Sequence, residues 1–127
     1  MKGASFLTRL GHARDGLRAA VAREPSMKTH VAAAAVVGVS LVWAGSPPVW
    51  WAVMAVTVAM VFACELMNTA LEALCDHLHP QRHPAIKMTK DVAAAAVLLS
   101  SVGALAVGVA FAVDQLWPIM RTWAALR

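Results

Sequence analysis

Tyrosine is absent from the 127 residues, cysteine occurs twice, and acidic residues number only seven. Cys64 and Cys75 stand eleven apart on what reads as one helix, which excludes a bridge within it. They read as small apolar side chains and leave the redox compartment open. Charge is missing altogether from two long stretches, Val31 to Cys64 and Val92 to Val113. A soluble chain of this size has no interior large enough for such runs, whereas lipid supplies an outer apolar phase. No G-x-x-x-x-G-K-[ST] loop, no G-x-G-x-x-G and no H-R-D or D-F-G set occurs, which excludes the familiar soluble nucleotide folds. The net charge of +4 comes without a cysteine-rich, zinc-knuckle or arginine-stripe pattern, so nucleic acid is not an expected partner. No conventional signal-peptide pattern opens the chain; about thirty largely amphipathic residues precede the first apolar run.

What is present, 60% hydrophobic residues in long neutral runs, predicts an all-α integral membrane protein of one domain, 1–127. Phe6, Leu10, Leu17 and Val21 recur at helical spacing among arginines. That pattern predicts an amphipathic surface helix over about 5–24, capped by Ser5 and ended by Glu24-Pro25. Gly11 and Gly16 mark possible breaks or close packing within it. Three spans follow, over about 27–45, 49–78 and 86–114. As a single helix the neutral run from Val31 to Cys64 would measure about 50 Å, too long for a hydrocarbon layer of about 30 Å. Gly45-Ser46-Pro47-Pro48 therefore reads as a turn, with Trp43, Trp50 and Trp51 forming an aromatic belt beside it. Asp114, Trp117 and Pro118 are expected to close the third span, leaving Met120 to Arg127 as an interfacial tail. Small residues such as Gly38, Ala93 and Gly103 permit close helix approach, and three thin spans suggest an oligomer.

The informative stretch is Cys64 to Pro80. At about 100° per residue, Glu65, Asn68, Glu72 and Asp76 share one arc of roughly 80°, beginning near the end of an apolar run. Acids lined up on a membrane helix are costly without water, a cation or a partner. Three readings stand: the wet end of a helix meeting lysines from another segment, a metal or phosphate site, and a cation or proton pathway. Nine of the eleven basic residues fall on the face that holds this stripe: Lys2, Arg9, Arg14, Arg18, Arg23, Lys28, Arg82, Lys87 and Lys90. That face is then cytoplasmic, with the C-terminus outside. Acids at that edge, away from the midplane, speak against a through-membrane path.

The inventory suits phosphoryl transfer, which needs a divalent ion, a cation for phosphate and a group that meets the acceptor hydroxyl. Glu24, Glu72 and Asp76 offer hard oxygens for Mg²⁺. Lys90, with Arg9, Arg14 or Arg18, suits phosphate. Glu65, deeper toward lipid, suits a lipid hydroxyl. Cys75, His77, His79 and His83 cluster, but their spacing fits no standard zinc pattern. Absent further information, a small oligomeric cation-handling or regulatory membrane protein is the competing, non-enzymatic reading.

E-L-M-N-T-A-L-E-A-L-C-D from Glu65 to Asp76, K-M-T-K-D-V-A-A-A-A-V from Lys87 to Val97, and G-L-R-A-A-V-A-R-E from Gly16 to Glu24 together resemble the prokaryotic diacylglycerol kinase family, which includes undecaprenol kinases. The resemblance implies a homotrimer in the inner membrane with active sites shared between subunits. It also implies ATP and Mg²⁺ entering from the cytoplasm and a lipid entering from the bilayer. Glu65 then resembles the general base, Asn68 the polar residue beside the reacting groups, and Glu24 and Glu72 the metal-binding carboxylates. Asp76, Lys90 and Asp91 resemble residues that organise the nucleotide phosphates or the site, with Arg9 in the matching N-terminal region. Gly16 to Ala20 is similar to the diacylglycerol branch. Lys28-Thr29-His30, His83-Pro84 and Ala93-Ala94 are similar to the undecaprenol branch. The expectation leans to diacylglycerol, converted to phosphatidic acid, with undecaprenol nearly level.

Overall fold

A computed structural model describes Gly3 and residues 5–127. Lys2, one of the nine basic residues assigned above to a single face, lies outside the described residues. The fold is all-α: three helices long and apolar enough to cross a membrane, preceded by an N-terminal helix that is too polar to be one of them.

Helix α1 covers Phe6–Arg23 and runs unbroken through Gly11 and Gly16. Ser5 starts it, its hydroxyl accepting from the Thr8 amide at 3.3 Å, the side-chain cap that satisfies a free donor of the first turn. Phe6, Leu7 and Leu10 are exposed, and Ala20, near the other end, is buried. The helix stops at Glu24 because a residue before proline is pushed out of the helical region. Glu24 is extended (φ −97°, ψ 116°), and Pro25 opens α2 (Pro25–Trp43) at the position where its missing N–H costs nothing.

The end of α2 is a Schellman motif. Gly45, at φ +59°, donates to the Val42 carbonyl at 3.1 Å, and Ser46 donates to the Leu41 carbonyl at 3.1 Å. Pro47 and Pro48 then prevent any continuation and start α3 (Pro48–Leu78). Its 31 residues reach about 46 Å. Measured from Pro48, about 30 Å of hydrocarbon is crossed near Asn68, so Glu65 sits just inside that depth and the last turns extend past it.

Helix α4 begins at Pro84, with His83 as cap accepting from the Ala85 amide through Nδ1 at 3.2 Å, and runs to Phe111. It packs antiparallel on α3, since Lys90 near its start meets Asp76 and Asp114 beyond its end meets Trp50. Helix α2 packs on α3 as well, and α1 touches both α2 and α3. Where the sequence suggested a span closing at Asp114 and a tail after it, the helix continues. A π turn over Ala112–Leu116 leads into α5 (Trp117–Ala125). Pro118 has no amide to offer the Asp114 carbonyl, and its ring collides with that carbonyl in a regular helix. The chain widens by one residue instead, the Trp117 amide bonding the Ala112 carbonyl. The π turn also brings Leu116, five residues after Phe111, back onto the same packed cluster.

That cluster, Leu41, Met54 and Phe111 with Trp50, Val107 and Leu116 against it, occupies the end of the bundle opposite the acidic stripe. Trp50, half-buried, stacks edge-on against Phe111 with centroids 5.3 Å apart, so it packs against the bundle while its neighbours Trp43 and Trp51 are exposed. Elsewhere the apolar surface faces outward: Val36, Val39, Leu98, Leu99 and Leu105 are all at least 65% exposed. Only lipid or other membrane chains make such a surface stable.

Candidate active site

The stripe on α3 divides by depth. Glu65 is buried, at 3% exposure, and its carboxylate has no hydrogen-bond or ion-pair partner among the described residues. One turn on, the Asn68 amide donates to Glu72 Oε1 at 3.3 Å, the i,i+4 contact that helical geometry favours. Asn68 Oδ1 is buried without a partner. Glu72 is half-buried, and Asp76, another turn on, is exposed and pairs with Lys90.

Short connection and cap bring Lys90 there. The five residues from His79 to His83 reverse the chain, His83 caps α4, and Lys90 then lies two turns into α4 opposite Asp76. Ala93, buried where α4 faces α3, keeps the two backbones close. Lys90 and Asp91, adjacent in sequence, part company: Asp91 pairs with Lys87 on an exposed face. A groove of about 660 Å³ runs beneath the Asp76–Lys90 pair, lined by Arg82, Lys87 and Asp91 among others. A second groove of about 250 Å³ reaches Asn68 and is otherwise apolar, between Cys64, Met67 and Leu71 on α3 and Ala93 and Ala96 on α4.

One end of the molecule thus presents, near lipid depth, a buried amide oxygen and the carboxylate of a buried glutamate, both without partners among the described residues, and a lysine–carboxylate pair closer to water. An amide oxygen withdrawn from water without a partner costs free energy, and a carboxylate on a buried residue adds to that cost. A cation, a hydroxyl or an amide supplied from outside the chain would offset that cost. Glu24 is half-buried at the α1–α2 junction. Arg9 is exposed on the first turns of α1, with no hydrogen bond or ion pair linking it to the stripe. Arg14 pairs with its neighbour Asp15 at 3.3 Å. No three His, Cys, Asp or Glu among the described residues converge as metal ligands. His83 uses Nδ1 to accept the Ala85 amide at its helix cap.

Residues 11–112 match the family model described as prokaryotic diacylglycerol kinase. The chain belongs to this family. Arg9 precedes the matched interval and α5 follows it. Two relatives bear on the substrate branch. A diacylglycerol kinase of Synechocystis sp. is 47% identical over 58 residues, 45% of this chain, and the chain spans about a third (33%) of that protein's length. An undecaprenol kinase of Bacillus subtilis is 29% identical over 103 residues, 81% of this chain and 84% of that protein. The family's shared interval includes every stripe residue on α3 and the Lys90-Asp91 pair on α4. The alignment with the undecaprenol kinase covers more than four fifths of both chains.

Reasoning from sequence missed the contact at the other end of the bundle, where Trp50 Nε1 donates to Asp114 Oδ2 at 2.9 Å and Gln115 donates to the same oxygen at 2.7 Å. A tryptophan beside a turn reads as an interfacial anchor. Only its pairing with a carboxylate 64 positions away reveals the clamp.

Proposed function

We propose that this protein transfers the γ-phosphoryl group of ATP to the hydroxyl of a membrane polyprenol, undecaprenol giving undecaprenyl phosphate. Diacylglycerol is the second acceptor to be tested, favoured by the local 47% identity to a diacylglycerol kinase. The observation that carries the reading is the buried residue Glu65, whose carboxylate has no partner among the described residues and lies at lipid depth, one turn from Asn68 and two from Glu72. A lipid hydroxyl approaching from the bilayer meets Glu65 first. The carboxylate accepts the hydroxyl proton as the oxygen attacks phosphorus, the bond to the bridging oxygen of ADP breaks, and ADP leaves toward the aqueous face.

Asn68 has a free amide oxygen with which to orient the incoming groups, and its amide holds Glu72 in place. Glu72 and Glu24 are the carboxylates for Mg²⁺. The donor set fits that ion, because Mg²⁺ commonly takes one or two carboxylates and fills its remaining positions with phosphate oxygens and water, with no need for a three-residue cage. When bound, it supplies charge neutralisation across the phosphates. Lys90, steadied by Asp76, meets phosphate oxygens, and Asp91 orders the same end of α4 through Lys87. Arg9 joins the nucleotide from the surface helix.

The site is proposed to be shared in a homotrimer. Within one chain nothing joins Arg9 to the stripe, and the exposed apolar faces and small residues of the spans favour close packing of further copies. The basic residues among the described ones, apart from Arg121 and Arg127, sit at the stripe's end, which supports a cytoplasmic site in the inner membrane. The test is a panel of lipid alcohols offered to purified protein with γ-labelled ATP and Mg²⁺. Label in undecaprenol at a rate well above that in diacylglycerol supports the proposal. The reverse ratio would choose the second acceptor, and failure with both would reject lipid phosphorylation.

A further inference from the structure

Helix α5 lies beyond the residues shared with the family, so nothing about its role is inherited. Together with α4 and the π turn it makes a helical segment of 42 residues, Pro84–Ala125, about 63 Å if straight. Hydrocarbon about 30 Å thick accounts for half of that length. Lys90 and Asp91 mark one boundary, and the uncharged run from Val92 to Val113 spans about 33 Å, which places the other boundary at Asp114. Helix α5 therefore emerges on the face opposite the acidic stripe. Yet it is not a water-loving helix: Trp117 is 56% exposed, Met120 51% and Trp123 65%.

Its residues sort by face. At about 100° per residue, Ile119, Trp123, Met120, Ala124 and Trp117 fill one continuous arc of roughly 160°, and Arg121 and Thr122 lie on the other side. This is the pattern of a helix lying in a headgroup layer: tryptophans at the apolar boundary, an arginine toward phosphate. The π turn supplies the joint. Its bonding pattern inserts a residue into the α register, and such turns are where helix axes bend. The turn itself is tied to the bundle, with Asp114 held by Trp50 and Leu116 seated against the Leu41–Met54–Phe111 cluster. Bending there leaves the packed end undisturbed.

We propose that α5 is an interfacial helix that docks on the lipid headgroups of the membrane face opposite the acidic stripe, hinged at Ala112–Leu116, with Trp117, Met120 and Trp123 inserted and Arg121 toward lipid phosphate. The occupant of its apolar face is lipid because that face continues directly from the lipid-exposed surface of α4 and is accompanied by cations. The proposal rests on the membrane placement of the three spans but not on lipid phosphorylation.

Single cysteines placed by turns at 117 to 125, in a full-length chain with Cys64→Ala and Cys75→Ala, carry spin labels in phospholipid vesicles. Oxygen collision is expected to exceed that of a water-soluble nickel chelate at 120 and 123, with the ratio inverted at 121 and 122. Uniform access to nickel along the helix, or strong dipolar broadening at 120 and 123 that reports a second copy on this face, would overturn the proposal. Where the cysteine-free background fails to fold, the unaltered chain in vesicles of shallow-brominated phospholipid gives the same answer. Trp123→Phe should then remove a share of the indole quenching, and an unchanged quenched fraction would count against docking.

Discussion

At the scale of single residues, the molecule places its polar groups by depth. Glu65 is buried and without a partner among the described residues, Asn68 and Glu72 are linked and half-buried, and Asp76 pairs with Lys90 nearer water. Each position implies a separate kinetic signature. Glu72→Gln keeps the amide contact through its carbonyl oxygen but loses a hard anionic ligand, so the Mg²⁺ concentration for half-maximal rate should rise, by about tenfold or more, with kcat at saturating Mg²⁺ falling less. An Mg²⁺ titration of the variant reads this directly; an unshifted midpoint would remove Glu72 from the metal site. Lys90→Met should raise KM for ATP, because a phosphate-binding cation is lost. Asp76→Asn should act in the same direction and more weakly, since Asp76 reaches phosphate only through Lys90. Steady-state kinetics at varied ATP would contradict the account if Asp76→Asn were the more damaging of the two.

At the scale of elements, boundaries follow from proline and glycine chemistry. Glu24 is extended because Pro25 follows it, Gly45 closes α2 in the left-handed region, and Pro118 forces the π turn. Gly45→Ala meets no neighbour within 4 Å, so its cost is the left-handed backbone alone, about 1 kcal/mol. Gly38→Ala, equally uncrowded but inside α2, should be neutral or stabilising by up to about 1 kcal/mol. Thermal unfolding in one detergent compares the two, and equal shifts would contradict the Schellman assignment. Trp50→Phe retains a ring against Phe111 but loses the donor to Asp114. Amide exchange in 112–116 should then quicken while exchange around Ala93 stays as it was. These elements also separate what the sequence disclosed from what it withheld. The spans, the Gly45 turn and the stripe were legible because apolar runs, left-handed glycine and helical periodicity are local signals. Which lysine Asp76 meets, the inward packing of Trp50, and the continuation of the third helix through a π turn were not. Each depends on which face a neighbouring helix presents, and a single helix's periodicity carries no record of its neighbour.

At the scale of the whole molecule, the chain is incomplete as a water-soluble object. Its apolar surface looks outward, its packed cluster lies at one end, and its acidic stripe lies at the other. If sites are shared between copies, Arg9→Ala and Glu65→Gln chains, each inactive alone, should recover part of the activity when co-assembled from a mixture. No recovery at any mixing ratio would argue for sites contained in single chains. Family membership and the fold fix a membrane setting, and the reaction then turns on whether Glu65 takes the acceptor's proton. The most direct measurement is the rate of γ-phosphoryl transfer from ATP to undecaprenol by purified Glu65→Gln protein, alongside its ATP affinity and helix content. The account predicts a loss of roughly 10²–10⁴-fold in kcat, the usual range for a general base, with ATP binding and helicity retained; transfer at the unaltered rate would contradict it.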